Sequence, residues 1–568
     1  MPPSPSSAAE SKVGEASVAE RSFLGIAHRL ARALDRPYVG TAATVLAVVG
    51  AAGLLLARLA PDVRGKPLFD DEVIAGLTAV HPVREMLEIV LSDRGGAPLH
   101  FVLAHAALAL DPSPAALRWL SVVLALVTVP VCYDLGRRIG GRVAGAIAAI
   151  VTAASSMLAV YGSVGRMYAL FAFVSALAID LFVRALERRT PRAASVAIAA
   201  AWLLPAVHPY GMVVVVLEAA VALAVWRGRP LRPALPALAL AVALAVALVP
   251  FVLADVRLSE RFGVGVGEPA SVAPPDVAAD QLGEAIAAFA GGSGWLALAF
   301  FGIALAGVFT VARRNVAFAV FALAALAAIP VLMVVAKAEE ELVHQLSPRH
   351  LMFALPVWAA LIGAGAARLV HDLPRSLAVG ALAAVAAAAV FAPSGIGDPR
   401  VDADSTAASL ARPADWVRGE LDPGAVLFFY SPVYLAALPE TSEATPIPRS
   451  GRPLRMVERA RLPAPSIMLS LPLAGTRVNG ERINRRLPPG SKLAVFPDWL
   501  LVDMPGPFAD EREVLAAARD GLTAIRLTTR RRSYTFRQDL RGGLATVCDA
   551  LAALAEPCPP RIVPGDGR

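Results

Sequence analysis

Three consecutive acidic residues follow the first long apolar run of the chain, namely Asp70, Asp71 and Glu72. An acid at the mouth of a membrane span can meet a water-soluble acceptor on one side and a lipid-borne substrate on the other. An aspartate within hydrogen-bond reach of a hydroxyl group can act as its general base. The alternative is a solvated acidic loop with no part in catalysis. The triplet therefore predicts one of two things, a base at the membrane surface or a loop exposed to water.

Three arginines stand near predicted outer ends of spans: Arg118 in ALRWLS, Arg166 in VYGSVGRMYAL, and Arg349 in SPRHLMFALP. The planar guanidinium group binds phosphate through two parallel hydrogen bonds. Arginines from separate helices can converge on one anionic lipid, and Tyr168 lies two residues beyond Arg166. The alternative for each arginine is a side chain that merely extends its charged end towards lipid head groups.

Two histidine-containing segments are further candidates. His208, in HPY, marks an outer turn, and the residue is either structural or part of a binding site. His100 and His105 are five residues apart, a spacing that does not place both on one helical face, which argues against a metal-binding pair. We retain His100 among the substrate-binding candidates.

Ionisable residues inside predicted spans are costly and are often functional. Asp180 has Arg184 four residues further on, and this spacing predicts a structural ion pair near the inner interface. Glu218 has no partner that the sequence suggests, and its role stays open.

The composition sets the class of protein. The chain has 568 residues, of which 57% are hydrophobic and 17% charged, whereas an ordinary soluble domain is roughly 25% charged. This excludes a disordered chain, a fibrous protein and an ordinary soluble enzyme, and it indicates a polytopic membrane protein. The net charge of +7 comes almost wholly from arginine, which is poor evidence for nucleic-acid binding in a chain so rich in Ala, Gly and Pro. The sequence contains no Walker motif, GxGxxG after a strand, HExxH or CxxC, so an ATP-driven pump or a Rossmann enzyme is poorly supported.

Eleven apolar runs are candidate spans. They lie at about 38–60, 117–135, 143–162, 168–186, 194–208, 210–226, 233–253, 295–311, 316–336, 350–367 and 376–392. With eleven spans and a cytoplasmic N-terminus, the arginine-rich connections alternate with acidic ones, as the positive-inside rule requires. The short run Ala97–Leu110 would break this alternation if it crossed the membrane, so we predict a helix that lies at the outer surface.

These observations predict an all-α polytopic membrane protein with about eleven transmembrane helices and a small C-terminal α/β domain outside the cell. The predicted parts are a disordered, basic cytoplasmic tail at 1–37, a transmembrane module at 38–392 and an extracytoplasmic domain at 393–568. Within the module we predict a first outer loop at 61–116 and an outer lid loop at 254–294. In the last part, strands are predicted at 425–430, 466–471, 492–497 and 523–529, and helices at 510–520 and 543–555. Cys548 and Cys558 either pair in an oxidising exterior or remain free thiols.

Six segments resemble the GT-C glycosyltransferases, specifically the protein O-mannosyltransferase-like group and the bacterial aminoarabinose-transferase-like enzymes. They are PLFDDEV (67–73), GGAPLHFVLAHAAL (95–108), ALRWLSVVLALVTVPVCYDLGRRIGG (116–141), VYGSVGRMYALFAFVSALA (160–178), HPYGMVVVV (208–216) and SPRHLMFALPVWAALIGAG (347–365). Two departures from the family pattern are the third acid, Asp70, and the absence of an acid just before Arg166.

The resemblance implies the GT-C fold and inverting transfer of a sugar from a polyprenyl-phosphate carrier to an acceptor at the outer face of the cytoplasmic membrane. It implies that Asp71 is the general base, that Glu72 positions the acceptor or the base, and that Arg166 and Arg349 stabilise the leaving lipid phosphate. Asp70 is the remaining catalytic candidate. Substrate-binding candidates beyond the two arginines are Tyr168, Arg118, His100 and His208. The implied partners are a polyprenyl-phosphate sugar donor and membrane lipid, with no nucleic acid. No cofactor is implied, and a divalent cation and the acceptor (protein, lipid or cell-wall glycan) are left open.

Other classes explain part of the pattern. A transporter or flippase of lipid-linked sugars would account for the spans and the interfacial arginines, but it predicts paired broken helices and internal repeats, and the sequence has no clear repeat. A ligase or an acyl or phosphoryl transferase would use the same lipid face, and a non-catalytic membrane anchor needs no site at all. The discriminating feature is whether Asp71, Arg166 and Arg349 open into one outward cavity.

Overall fold

A computed structural model describes most of the chain from Pro37 to Cys558. The described residues are 37–65, 70–91, 98–111, 113–226, 232–262, 283, 287–289, 295–335, 348–392, 403–422, 424–428, 431, 433–434, 445–447, 462–473, 476–528, 534–556 and 558. The predicted tail at 1–37, apart from Pro37, and most of the predicted lid loop at 254–294 lie outside these residues.

The first part of the chain is helical. Its helices are α1 (Pro37–Gly65), α2 (Asp70–Ala79), α3 (Val83–Ile89), α4 (Pro98–Leu110), α5 (Pro114–Gly140), α6 (Arg142–Ala154), α7 (Ser156–Tyr161), α8 (Tyr168–Arg188), α9 (Pro191–Val207), α10 (Gly211–Trp226), α11 (Leu235–Phe262), α12 (Trp295–Ala312), α13 (Val316–Val335), α14 (Leu355–Leu369) and α15 (Arg375–Phe391). A 3₁₀ segment, Pro348–Ala354, leads into α14. Each predicted apolar run lies on this series of helices, and Ala97–Leu110 matches α4.

Six helical stretches within the described part of the chain are long and apolar enough to cross a membrane. They are Ala42–Arg64, Ala115–Gly140, Tyr168–Arg188, Arg232–Ala254, Trp295–Ala312 and Arg349–Leu369. The other five predicted spans correspond to shorter apolar helices. The total of eleven crossings therefore stays a prediction.

One predicted span, 143–162, is broken into α6 and α7. The break falls at Ser155, whose backbone is extended and whose hydroxyl accepts a hydrogen bond from the Met157 amide at 3.2 Å. A serine in this arrangement caps the helix that follows it. The sequence did not predict this break, because a polar residue inside an apolar run hardly lowers the mean hydropathy of the run.

Small residues let α14 lie at the centre of the bundle. Nearly all its side chains from Leu355 to Ala366 are buried. A Cβ atom on Gly363 would lie 2.1 Å from the carbonyl oxygen of Ala144, in α6, and one on Gly365 would lie 1.8 Å from that of Ile303, in α12. The backbones of three helices therefore approach more closely than any larger side chain permits, as is common between membrane helices.

Ion pairs join α5 and α8 at one end of the bundle. Arg138 contacts Asp180 at 3.0 Å and Glu187 at 2.9 Å, and Arg184 contacts Asp134 at 2.7 Å. The predicted structural pair of Asp180 with Arg184 is confirmed at 2.8 Å. Two arginine-rich connections that were predicted on the same side of the membrane therefore do lie at the same end of the bundle.

The last part of the chain contains a five-stranded sheet with helices. The strands are β1 (Val426–Phe428), β2 (Thr445–Ile447), β3 (Ala464–Pro472), β4 (Lys492–Val495) and β5 (Trp499–Phe508), and the helices are α16 (Ala403–Glu420), α17 (Gly480–Asn484), α18 (Glu511–Thr528) and α19 (Tyr534–Ala553). The strand order is β2-β1-β3-β5-β4. β1 is parallel to β2 and β3, whereas β5 is antiparallel to β3 and β4. The predicted α/β character is confirmed.

The strand predicted at 523–529 is wrong, because helix α18 continues to Thr528. Its buried residues follow helical spacing and belong to the core that also contains the sheet. They are Val514, Leu515, Ala518, Leu522 and Ile525. The β-branched residues of TAIRLTT favour a strand locally, but burial of one continuous helical face outweighs that preference. Strand β5 was missed, although it forms the long antiparallel pair with β3.

Cys548, in α19, forms a disulfide with Cys558. Of the two alternatives left open by the sequence, the structure therefore has the paired one. Cys132 is a buried free thiol.

Candidate functional site

The start of α2 is fixed to α5 by a buried ion pair. Arg118 Nη2 lies 2.6 Å from Glu72 Oε2, and Arg118 Nε donates to Glu72 Oε1 at 2.8 Å. Both side chains are almost completely buried. The planar guanidinium matches the two carboxylate oxygens, and this geometry holds both groups in one orientation. The acidic residues at 70–72 also stand in the first turn of α2, where the helix dipole favours negative charge.

A glycine in the loop before α8 completes the surroundings of Glu72. The backbone N–H of Gly165 donates to Glu72 Oε1 at 2.6 Å. A Cβ atom at position 165 would lie 2.9 Å from Leu117 Cβ and 3.3 Å from Glu72 Oε1. This loop therefore reaches the carboxylate because it has no side chain there, and the contact places the next residue, Arg166, beside the same region.

The C-terminal end of α1 joins this cluster. Arg118 Nη1 donates to the backbone carbonyls of Asp62 and Val63, both at 3.2 Å. The Ser163 hydroxyl donates to Asp62 Oδ2 at 3.4 Å. Arg118 thus ties α1, α2 and α5 together at one level. This is a different contact from the lipid phosphate that the sequence suggested for Arg118.

Arg166 and Arg349 both lie against aromatic rings. The guanidinium carbon of Arg166 is 6.0 Å from the centre of the Phe101 ring, in α4. That of Arg349, at the start of the last long span, is 5.7 Å from the centre of the Tyr168 ring. Stacking on a ring restricts a guanidinium group while leaving its N–H groups able to bind in the plane.

A group of rings surrounds the turn between α9 and α10. The His208 ring lies 5.0 Å from Phe171, 5.3 Å from Tyr210 and 5.2 Å from His350, measured between ring centres. Tyr210 and His350 are 5.5 Å apart. The turn residue His208 is buried beside these rings, which are supplied by α8, by the turn itself and by the 3₁₀ segment.

Ring contacts link this group to both arginines. Arg349 lies over the Tyr168 ring, and Tyr168 is two residues from Arg166 in the sequence. His350, the residue after Arg349, lies beside His208. The structure therefore brings guanidinium groups from two distant parts of the sequence to one group of rings, and such a pair suits an anion with several oxygens.

The remaining predicted residues are the acids at the start of α2 and the histidines of α4. Asp70 and Asp71 belong to the first turn of α2, directly before Glu72, but their side chains lie outside the described part of the chain. His100 is buried in α4 with its ring edge-on to Phe101 at 5.5 Å, and Nδ1 of His105 is 2.8 Å from the carbonyl oxygen of Ala79. No group of three or more His, Cys, Asp or Glu residues suited to a metal ion occurs among the described residues.

Sequence reasoning missed four participants, namely Asp62, Phe101, Gly165 and His350. Asp62 and Gly165 act through backbone and loop geometry, for which the sequence gives no clear signal. His350 is adjacent to Arg349 and Phe101 is adjacent to His100, so proximity to residues already selected was the available indication.

Comparison with known proteins identifies the fold. Residues 96–253 match the family of dolichyl-phosphate-mannose-protein mannosyltransferases. The structure of ArnT from Cupriavidus metallidurans in the apo state is similar with a TM-score of 0.58 at 15% identity, over 83% of this chain and 99% of ArnT. The structure of the same protein bound to undecaprenyl phosphate gives a TM-score of 0.55 at 15% identity, with the same coverage of both chains. No curated protein matches the sequence.

These similarities confirm the resemblance to GT-C glycosyltransferases and the all-α polytopic fold. The chain is a multi-pass membrane protein, and glycosyltransferase is the enzyme class of the matched family.

Proposed function

We propose that this chain transfers a sugar from a polyprenyl-phosphate-linked donor to an acceptor hydroxyl at the outer face of the cytoplasmic membrane. The observation that carries the proposal is the hydrogen bond from the Gly165 amide to Glu72. It joins the acidic start of α2 to the loop that bears Arg166. A base and a phosphate-binding group are the two elements that glycosyl transfer from a lipid phosphate requires.

Two guanidinium groups support a phosphate-linked donor. Arg166 and Arg349 each lie against an aromatic ring, and the ring under Arg349 belongs to Tyr168, two residues from Arg166. In the proposed reaction they bind the phosphate of the carrier and stabilise its charge as it leaves. The ArnT structure with undecaprenyl phosphate, which has the same fold as this chain, supports a carrier of that class.

The proposed chemistry is a single displacement. The acceptor hydroxyl oxygen forms a bond to the anomeric carbon, the bond from that carbon to the phosphate oxygen breaks, and the hydroxyl proton passes to the Asp71 carboxylate. The electron pair of the broken bond remains on the polyprenyl phosphate, facing the two arginines. Attack from the side opposite the phosphate inverts the anomeric centre. Because phosphate is already a good leaving group, positioning and charge stabilisation can carry the catalysis.

Glu72 and Arg118 have positioning roles in this proposal. Their buried pair fixes the first turn of α2, and so the backbone of Asp71, against α5 and α1. Tyr168 orients Arg349 through its ring, and the rings around His208 form one wall of the donor site. Asp70 is a candidate for acceptor binding. His100 is a candidate for packing under Arg166.

The direct experiment incubates the purified protein in detergent with polyprenyl-phosphate mannose, glucose and arabinose, each labelled in the sugar. A cell-envelope extract serves as the source of acceptors. The proposal predicts that label from one donor moves to an envelope component and that unlabelled polyprenyl phosphate is released. A flippase would instead move intact labelled donor between the leaflets of a liposome without breaking the sugar–phosphate bond.

A further inference from the structure

A groove lies between α1, α5 and α6 at the end of the bundle opposite the candidate site. Its volume is about 370 Å³, and it is lined mainly by Val45, Val48, Val49, Tyr133, Arg137 and Arg142. One wall is therefore apolar, and two arginines stand at one end. Val45 and Val49 belong to a helix of the membrane module, and their side chains are 55% and 61% exposed.

The position of the groove along the bundle follows from helix geometry. Arg118 and Arg137 are both in α5 and are 19 residues apart, which corresponds to about 28 Å along the helix axis. The hydrocarbon core of a bilayer is about 30 Å thick. Arg137 and Arg142 therefore stand at the membrane interface opposite to the one that contains Arg118 and Glu72.

The arginines of the groove are available for an anion. Arg137 donates to Asp134 Oδ1 through Nε at 2.8 Å and also through Nη2, yet its side chain is 43% exposed. Arg142 begins α6 and is exposed, and its side chain makes no hydrogen bond or ion pair with any described residue. A phosphate beside Arg142 and Arg137 would leave the acyl chain of the same lipid free to lie along the three valines.

We propose that this groove binds one anionic phospholipid from the leaflet opposite the candidate active site. The cationic end matches the phosphate head group, and the valine wall matches an acyl chain. A polyprenyl phosphate in use as donor carrier has its phosphate at the other interface, so the groove is a site for the lipid of the bilayer itself. The bound lipid bridges α1 to α5 and α6. The far ends of α1 and α5 carry Asp62 and Arg118 of the candidate site.

Native mass spectrometry of the full-length protein in detergent, titrated with phosphatidylglycerol, tests the proposal. We expect one tightly retained phosphatidylglycerol, with Arg142→Gln lowering its affinity about fivefold, the contribution of one arginine near a charged lipid surface. Val45→Trp, which places a large side chain in the groove, should remove the binding event. Phosphatidylcholine should bind more weakly than phosphatidylglycerol to the unaltered protein.

Two matched variants control for general effects. Arg192→Gln removes an exposed arginine at the same end of the bundle but outside the groove, and Val246→Trp enlarges a lipid-facing valine of α11 that is 64% exposed. Both should bind phosphatidylglycerol as the unaltered protein does, and monodispersity on gel filtration verifies the folding of all four variants. Phosphatidylglycerol binding that is unchanged in both Arg142→Gln and Val45→Trp contradicts the proposal. Equal loss in the two controls contradicts it as well.

Discussion

Glu72 and Arg118 form a two-point ion pair between residues 46 positions apart in the sequence, with side chains only 1% and 3% exposed. The pair joins the acidic helix start to the first long helix after it. Burial of charges is costly, and their attraction repays the cost only when both partners are present with good geometry. The arrangement therefore explains how the short helix α2 is kept in one position.

Removing one partner of this pair should destabilise the protein strongly. Glu72→Gln leaves the Arg118 guanidinium buried without its counter-charge, and we expect a loss of about 3–5 kcal/mol in the free energy of unfolding. The melting temperature in detergent measures the loss. The double variant Glu72→Gln with Arg118→Met, which removes both charges, should recover part of the stability.

A surface pair provides the control for this experiment. Arg84 and Glu88 lie 3.4 Å apart in an i,i+4 pair with the Arg84 side chain 85% exposed. Because exposed pairs contribute little, Arg84→Gln should leave the melting temperature unchanged. If Glu72→Gln were as harmless as Arg84→Gln, the structural role assigned to Glu72 would be wrong.

Gly165 should not tolerate a side chain. In Gly165→Ala, the new methyl group meets Leu117 and Glu72 at short range, so the loop or the carboxylate must move. We expect a loss of about 1–3 kcal/mol in stability and lower transferase activity, measured by thermal unfolding and by the labelled-donor assay. Gly50→Ala, at a position with no atom within 4 Å of the added carbon, is the matched control. Normal activity and stability in the Gly165 variant would contradict the close contact.

The two arginines should control the use of the lipid-linked donor. A charge-assisted hydrogen bond contributes roughly 1.5–3 kcal/mol, so Arg166→Ala and Arg349→Ala should each lower kcat/KM for the donor roughly ten- to hundredfold. Arg192→Ala, at the opposite end of the bundle, should have no effect. Unchanged donor affinity in the Arg166 variant would remove the strongest member of the proposed phosphate site.

The cysteines should differ in their reactivity. With Cys548 and Cys558 paired, the unfolded but unreduced protein should take up one alkylating group, on Cys132, and the reduced protein three. The intact mass gives the number directly. The domain should also lose about 3 kcal/mol of stability in Cys558→Ser. Three alkylated thiols without reduction would contradict the disulfide.

The sequence predicted the parts of this molecule that repeat a simple pattern. Runs of apolar residues located the helices, and the alternation of arginine-rich connections correctly grouped Arg138 with Arg184 at one end. The short strand-like run at 466–471 also located a real strand, β3. The resemblance of short motifs identified the fold, because those motifs stand in the same order as in the family.

Pairings between distant residues could not be predicted. Arg118 looked like a phosphate ligand because it is cationic and close to the membrane surface, but its partner Glu72 is chosen by tertiary packing. Gly165 matters because its backbone approaches neighbouring residues closely, and such a contact cannot be recognised from the residue type alone. Two local predictions failed for a similar reason. The cap at Ser155 ends α6 although the run is apolar on average. The buried face of α18 keeps the chain helical through Ile525 although its residue types favour a strand.

The central claim is that an acid at the start of α2 takes the proton of the acceptor hydroxyl. The most direct measurement compares Asp71→Asn with Asp111→Asn, another acid of the same predicted outer loop, in the labelled-donor assay at equal amounts of membrane-inserted protein. A general base typically contributes 10²- to 10⁴-fold to the rate. The account predicts that Asp71→Asn abolishes transfer with expression and membrane insertion intact, while Asp111→Asn retains activity. Near-normal transfer by the Asp71 variant would contradict it.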